Sequence, residues 1–107
     1  MPLYLIQGSY TSAAVAALVR KPRNRLKAIR AAVESLGGTV EGGWMALGDY
    51  DYVLICKFRD NVAVTSLAAA VVAGGAVANH KTTLLLTFEE GMKAMRRAGS
   101  STYRAPK

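Results

Sequence analysis

TVEGGWMALGDYDYVLICKF, residues 39–58, is the stretch that decides the fold. Its two halves, residues 39–47 and 51–58, are rich in the β-branched and aromatic residues typical of strands. The link between them, Gly48-Asp49-Tyr50, has the turn chemistry of a hairpin, so we expect two antiparallel neighbours. The second half is apolar without alternation from Tyr52 to Cys56, which predicts a strand with two apolar faces.

The sequence before this hairpin predicts a strand and two helical segments. Residues 3–10 have a strand-like composition, and Thr11 or Ser12 can cap a helix that opens with the Ala-rich run 13–19. Pro22 predicts either a kink in that helix or the first turn of a new one. Beyond it, three- and four-residue spacing of apolar side chains predicts an amphipathic helix, ended by Gly37-Gly38, with an apolar face made of Leu26, Ile29, Val33 and Leu36.

The sequence after the hairpin predicts a helix, a strand and a short final helix. Asp60 can cap a helix that runs to Ala73 and ends at a Gly-Gly pair. Residues 77–86 are β-branched and leucine-rich, which predicts the fourth strand. The tetrapeptide that begins at Thr87 fits a capping box for a third helix, which ends at Gly99.

The resulting order, β-α-β-β-α-β plus a terminal helix, is that of the ferredoxin-like α+β fold. Right-handed crossovers place both long helices on one face of a four-stranded antiparallel sheet. The apolar outer faces of the two hairpin strands then need a cover that no other element of the chain supplies. We therefore predict a homodimer packed sheet to sheet, from which a higher oligomer could form, with residues 1–99 as the domain and residues 100–107 as a flexible basic tail.

The composition excludes several classes of protein. Of the 107 residues 51% are hydrophobic and 20% charged, too apolar for a disordered chain, and the lone Cys56 excludes an intrachain disulfide scaffold. The first residues lack the features of a secretion signal, so we expect a cytoplasmic protein. The longest uncharged stretch, residues 61–80, is too weakly hydrophobic to span a membrane, and no membrane partner is expected.

Several short segments together resemble the GYD-domain family over about residues 2–99. They are the turn 48–51, the opening 4–11, Gly37-Gly38, the run 81–83, Leu85-Leu86-Thr87 and Glu90-Gly91. The resemblance implies a dimeric α+β barrel. The wider superfamily includes cofactor-free oxygenases, haem-degrading enzymes and ligand-sensing domains, whereas the GYD family has no secure biochemical assignment. The resemblance therefore implies a fold rather than a function.

The sequence departs from the family pattern at two positions. Arg23 stands where relatives tend to have an acidic residue, which makes this helical region more cationic. His80, preceded by Asn79, places the one imidazole of the chain next to the family-like run that begins at Lys81.

The candidates for catalysis are His80 and Asp51, either of which could act as a base in a cofactor-independent oxygenase or isomerase with an aromatic substrate. A lone histidine at the start of a strand is more often a surface residue. An aspartate in a turn commonly accepts hydrogen bonds from nearby backbone amides. A structural role is therefore expected for Asp49, Tyr50 and Asp51, with the aspartates stabilising the turn and Tyr50 packing across the hairpin or against a partner subunit. No cluster with metal-ligand spacing is present, no cofactor is predicted, and Cys56 is interpreted as an inert core thiol.

The function that the sequence favours is binding or sensing of a small ligand by a homodimer, with the oxygenase or isomerase as the alternative. Aromatic side chains could line a pocket between sheet and helices, where a few polar groups would orient a ligand. Plain core packing is the competing interpretation of the same residues. The ligand-binding candidates are Trp44, Tyr4, Tyr10, Tyr52 and His80.

A basic run supplies six of the 14 positive charges within residues 20–30. Such a run could bind an anion or the phosphates of a nucleic acid. It has no interleaved aromatic residues for base stacking and no nucleic-acid-binding motif, so a solvated helix face is favoured and a nucleic-acid partner is not expected. The anion-binding candidates are Arg20, Lys21, Arg23, Arg25, Lys27 and Arg30.

Overall fold

The computed structural model describes residues 1–106. Lys107, the last residue of the predicted tail, lies outside the described residues, and residues 101–106 form no helix or strand. The regular elements, in chain order, are β1 (Leu3–Tyr10), α1 (Ser12–Arg20), α2 (Leu26–Ser35), β2 (Thr39–Met45), β3 (Tyr52–Lys57), α3 (Asn61–Ala73), β4 (Val77–Leu85) and α4 (Phe88–Ala98).

The four strands form one antiparallel sheet in the order β2-β3-β1-β4, which confirms the hairpin and the ferredoxin-like α+β order. At its centre, Tyr4 pairs with Cys56 on one side and with Leu84 on the other. A bulge interrupts the β2-β3 ladder between Val40 and Gly42. The sheet does not close on itself, because β2 and β4 are both free edges.

The core lies between this sheet and helices α2 and α3. Burial alternates along β1 and β3, so one face of each strand points into the core. Tyr4 and Leu54 from the sheet, and Phe58 directly after β3, pack with Val33 of α2 and Leu67 of α3. Cys56 is fully buried in this layer, as predicted, and burial raises the pKa of its thiol to about 11.

Three of the predicted helix starts are present with their caps. The side chains of Thr11, Asp60 and Thr87 accept from backbone amides in the first turns of α1, α3 and α4. The Glu90 carboxylate also accepts from the Thr87 amide, which completes the capping box.

The expectation for Pro22 is wrong on both alternatives. Helix α1 ends at Arg20 and α2 starts at Leu26, so Pro22 lies in the link between them and neither kinks nor opens a helix. Proline excludes helical backbone from the residue before it, and Lys21 accordingly has φ −139° and ψ 85°. Helix α2 starts only after Asn24, whose side-chain oxygen accepts from the Leu26 amide.

The outer face of the sheet carries an apolar patch on its central strands, as the double-faced β3 predicted, with polar residues such as Gln7 and Lys81 beside it. Leu5 of β1 pairs with Ile55 of β3, and both are half-buried on this face. Val53 of β3 pairs with Trp44 of β2 on the same side.

Helix α4 contributes nothing to the core. None of its residues is buried, and Phe88, Met92 and Met95 are exposed at the four- and three-residue spacing of one helix face. Residues 1–106 contain no helix that is long and apolar enough to cross a membrane.

Candidate functional site

A cavity of about 550 Å³ lies between the α1-α2 link, helix α2 and the ends of β2 and β3. This volume falls in the range of small-molecule sites. Side chains from both layers, together with the link, form its walls. The lining residues are Tyr10, Leu18, Pro22, Arg23, Asn24, Arg25, Leu26, Ile29, Gly43, Trp44, Met45, Tyr52 and Leu54.

Two tyrosines form the aromatic part of the wall. The rings of Tyr10 and Tyr52 are tilted by 45° with their centroids 5.5 Å apart. Burial, with a smaller contribution from Tyr10, raises the pKa of the Tyr52 phenol to about 12. The Tyr52 hydroxyl lies against Gly8 of the neighbouring strand β1.

The helix-side wall is aliphatic and packs against a glycine of the sheet. A methyl group on Gly43 would lie 2.8 Å from Leu26 Cδ1 and 2.8 Å from Leu54 Cδ2. Glycine at this position therefore leaves room for the ends of both leucine side chains. Ile29 continues the same apolar wall one turn further along α2.

Arg23 and Arg25 are the charged residues of the lining, and no acidic residue belongs to it. Of the other basic candidates, Arg20 ends α1, Lys21 follows it, and Lys27 lies in the first turn of α2. Arg30 lies further along α2 and donates from Nη1 to the Val40 carbonyl at 3.4 Å. The structure thus places two of the six candidates at the cavity and four outside it.

The turn that begins at Gly48 is engaged in backbone structure. Asp51 Oδ2 accepts from the Tyr10 amide at 2.9 Å, and the Asp51 amide donates to the Gly8 carbonyl at 2.8 Å. The Asp49 carbonyl accepts from the Ser9 hydroxyl at 3.1 Å. These bonds tie the turn to β1, and none of its residues lines the cavity.

His80 lies on the edge strand β4, opposite Gly8 of β1, and does not line the cavity. Its Nε2 lies 3.2 Å from the Thr82 hydroxyl, whereas its Nδ1 is buried without a hydrogen-bond partner. Burial lowers the pKa of the imidazole. Within residues 1–106 no carboxylate hydrogen-bonds to His80, so no base-orienter pair is assembled there.

The two remaining aromatic candidates lie in different surroundings. Tyr4 is 2% exposed in the core, away from the cavity, where its hydroxyl donates to Asn61 Oδ1 at 2.7 Å. Trp44 belongs to the cavity wall, but it is 59% exposed and its ring lies over Gly42 on the outer face of the sheet.

Several lining residues were not singled out from the sequence. Leu26 and Ile29 were assigned to the apolar face of the helix, and Leu18 and Met45 carried no signal of their own. These residues come together because of the path that the α1-α2 link takes past the sheet. Hydrophobic periodicity predicts helices and strands but not the path of a link. Among the described residues, no group of three or more His, Cys, Asp or Glu side chains is arranged to hold a metal ion.

The fold and its cavity define the class: a ferredoxin-like α+β domain with a space between sheet and helices. The chain belongs to the GYD domain family, whose model matches residues 4–95. This confirms the family resemblance seen in the sequence. No curated protein sequence matches the chain significantly.

Solved structures share the fold at low sequence identity. Protein TTHA0845 of Thermus thermophilus is similar with a TM-score of 0.55 and 16% identity, over 81% of this chain and 95% of that one. The 5-chloro-2-hydroxyhydroquinone dehydrochlorinase of Burkholderia phenoliruptrix AC1100, in complex with 2,5-dihydroxybenzoquinone, has a TM-score of 0.54 and 17% identity over 78% and 93%.

A transcriptional regulator of Neisseria meningitidis in complex with L-Met is also similar, with a TM-score of 0.50 and 19% identity. The match covers 80% of this chain and 50% of the regulator. At these identities the likeness is one of fold.

Proposed function

We propose that this protein is a homodimeric binding or sensing domain that takes a small organic molecule into the cavity between α2 and the sheet. The observation that carries the proposal is the cavity itself, about 550 Å³ with mainly apolar walls and two tyrosines. A concave apolar space with a few polar groups is the usual form of a small-molecule site. Two proteins of similar fold are known as complexes with small organic molecules, a dihydroxybenzoquinone and L-Met.

The outer face of the sheet supports the homodimer. A row of apolar side chains across the central strands is half-exposed in the single chain, and an identical face on a second copy would cover it. The cavity lies on the helix side of the sheet, and Trp44 belongs both to its wall and to this outer face. Leu5, Val53 and Ile55 lie at the centre of this face.

Binding is favoured over catalysis by the positions of the two candidate bases. Neither His80 nor Asp51 lines the cavity, and the Asp51 carboxylate already accepts from the Tyr10 amide. A general base must reach the proton that it removes, and neither group is placed to do so for a ligand in this space.

The test is titration with N-phenylnaphthylamine, a neutral apolar fluorophore, excited where tryptophan does not absorb. We expect saturable binding with one site per chain. Ile29→Trp fills the cavity and should weaken binding at least about tenfold, a change of about 1.4 kcal/mol. Val72→Trp adds the same bulk at an exposed site on α3 and serves as the matched control.

Circular dichroism and the thermal midpoint establish that both variants are folded. Absence of saturable binding to the wild type would refute the proposal. Equal affinity of the wild type and a folded Ile29→Trp variant would place the probe elsewhere and refute it as well.

A further inference from the structure

The charged residues of the cavity lie on one side of it. Its inner walls are aromatic and aliphatic, supplied by Tyr10, Tyr52, Leu54 and Ile29, whereas the α1-α2 link adds Arg23 and Arg25. Arg23 is exposed and Arg25 is half-buried at the position before the first residue of α2. A molecule in the cavity would therefore meet apolar surface over its body and guanidinium groups at one end.

These two arginines have no acidic partner in the part of the chain that the structure describes. The ion pair found within residues 1–106 joins Lys57 to Glu41 at 3.4 Å, and no ion pair there involves Arg23 or Arg25. The first turn of α2 contains no acidic residue either. The positive charge beside the cavity is left uncompensated, and this side of the molecule attracts anions.

A cavity with these two ends selects for one kind of molecule. An apolar body gains from leaving water in proportion to the area that it buries. A carboxylate, sulfonate or phosphate at its end gains from charge-assisted hydrogen bonds with guanidinium groups, which can donate two at once. A neutral apolar molecule uses only the first contribution and an inorganic anion only the second.

We propose that the cavity binds an amphipathic organic anion, with its apolar part against the tyrosines and its acidic group at Arg23 and Arg25. This rests on the proposed function and adds to it the chemical class of the ligand. The basic run seen in the sequence acquires a role here, because Arg23 and Arg25 are its two members at the cavity.

A nucleic acid fits this site less well than a small anion. Four of the six cations of the basic run lie outside the cavity, and the apolar walls offer nothing to a sugar-phosphate backbone. An anionic group of a small molecule needs only the two arginines that the cavity contains.

The experiment compares two fluorophores that share an apolar body and differ in charge. Anilinonaphthalenesulfonate carries a sulfonate, and N-phenylnaphthylamine is its neutral counterpart. Both are titrated at low and moderate salt into the wild type and into Arg23→Gln/Arg25→Gln. The matched control is Arg96→Gln/Arg97→Gln, which removes the same charge from α4, away from the cavity.

We expect the sulfonate to bind the wild type more tightly than the neutral probe, with an affinity that falls as salt is added. The Arg23→Gln/Arg25→Gln variant should lose about five- to tenfold in affinity for the sulfonate and keep its affinity for the neutral probe. The control variant should bind both probes as the wild type does. Arg23→Lys/Arg25→Lys should recover part of the loss, because the charge is restored without the planar fork.

The outcomes separate this inference from the function on which it rests. If neither probe binds in the cavity, the proposed function fails and this inference fails with it. If both probes bind equally and the double variant changes neither affinity, the cavity binds neutral molecules and only this inference is overturned. Equal weakening of both probes would show that the arginines shape the cavity, and would overturn the inference too.

Discussion

Replacing Gly8 by alanine places a methyl group against the ring of Tyr52. The two residues pair across β1 and β3, and the Tyr52 ring lies over the glycine. A Cβ at Gly8 would overlap the phenol oxygen and the ring carbon that bears it. Real Cβ atoms essentially never come this close to another heavy atom, so the ring must move.

The cost depends on where the ring can go. Overpacking of a tightly filled core costs typically about 1–3 kcal/mol. Tyr52 is 8% exposed, but it also lines the cavity, which gives the ring space to retreat. We therefore expect the lower half of the range, about 1–2 kcal/mol, and a thermal midpoint lowered by roughly 4–8 °C. The displaced ring should also occupy cavity volume and weaken binding of the neutral probe.

The assay is urea denaturation of Gly8→Ala, Tyr52→Leu and the double variant. Tyr52→Leu removes the atoms that the methyl group would meet, so Gly8→Ala should cost less than half as much in that background. Gly48→Ala is the matched control, because nothing lies within 4 Å of a methyl group there.

A free energy of unfolding for Gly8→Ala within about 0.5 kcal/mol of the wild type would refute the packing argument. The same cost in both backgrounds would show that the effect does not act through the Tyr52 ring.

Three further predictions concern the interface, the pH dependence and a helix cap. Ile55→Asp places a charge on the proposed dimer face and should shift the protein toward the monomer in analytical ultracentrifugation. Val62→Asp, at an exposed position on α3, is the control and should not. An Ile55→Asp variant that remains dimeric would exclude the outer face as the interface. The pKa of the Cys56 thiol is raised from 9.0 to about 11 and that of the Tyr52 phenol from 10.0 to about 12, so the unfolded chain ionises first. Their contribution to stability is complete below pH 9 and is lost as the pH rises toward 11–12. Urea midpoints should fall over that interval, and a rising midpoint would contradict the burial of both groups. Asp60→Ala should cost about 1 kcal/mol, since the Ala63 amide loses its acceptor, and Asp60→Asn should retain most of the stability.

The location of the cavity changes how the basic run is understood. As a run in the sequence, residues 20–30 fit a solvated helix face or a general anion-binding stripe. In the structure, Pro22 ends helical backbone before the second helix begins, and the link that results carries Arg23 and Arg25 to the cavity. The hypothesis of a small-ligand site and the hypothesis of an anion site therefore concern the same cavity.

The sequence by itself determined the elements and their order. Strand and helix periods are local properties, and caps such as Asp60 and Thr87 act on amides within one turn, so they can be recognised from neighbouring residues. The unbroken apolar run in β3 also showed that this strand has two apolar faces, because adjacent side chains on a strand point in opposite directions.

Only the tertiary structure decided which side chains share a site. Tyr10, Ile29 and Tyr52 come from three elements, and their meeting depends on strand register, on the packing of α2 against the sheet, and on the path of the link. It also separated Tyr4, His80 and the turn aspartates from the cavity. The reason is physical: local pattern specifies which face of each element is apolar, whereas a site depends on distances between elements that are far apart in the chain.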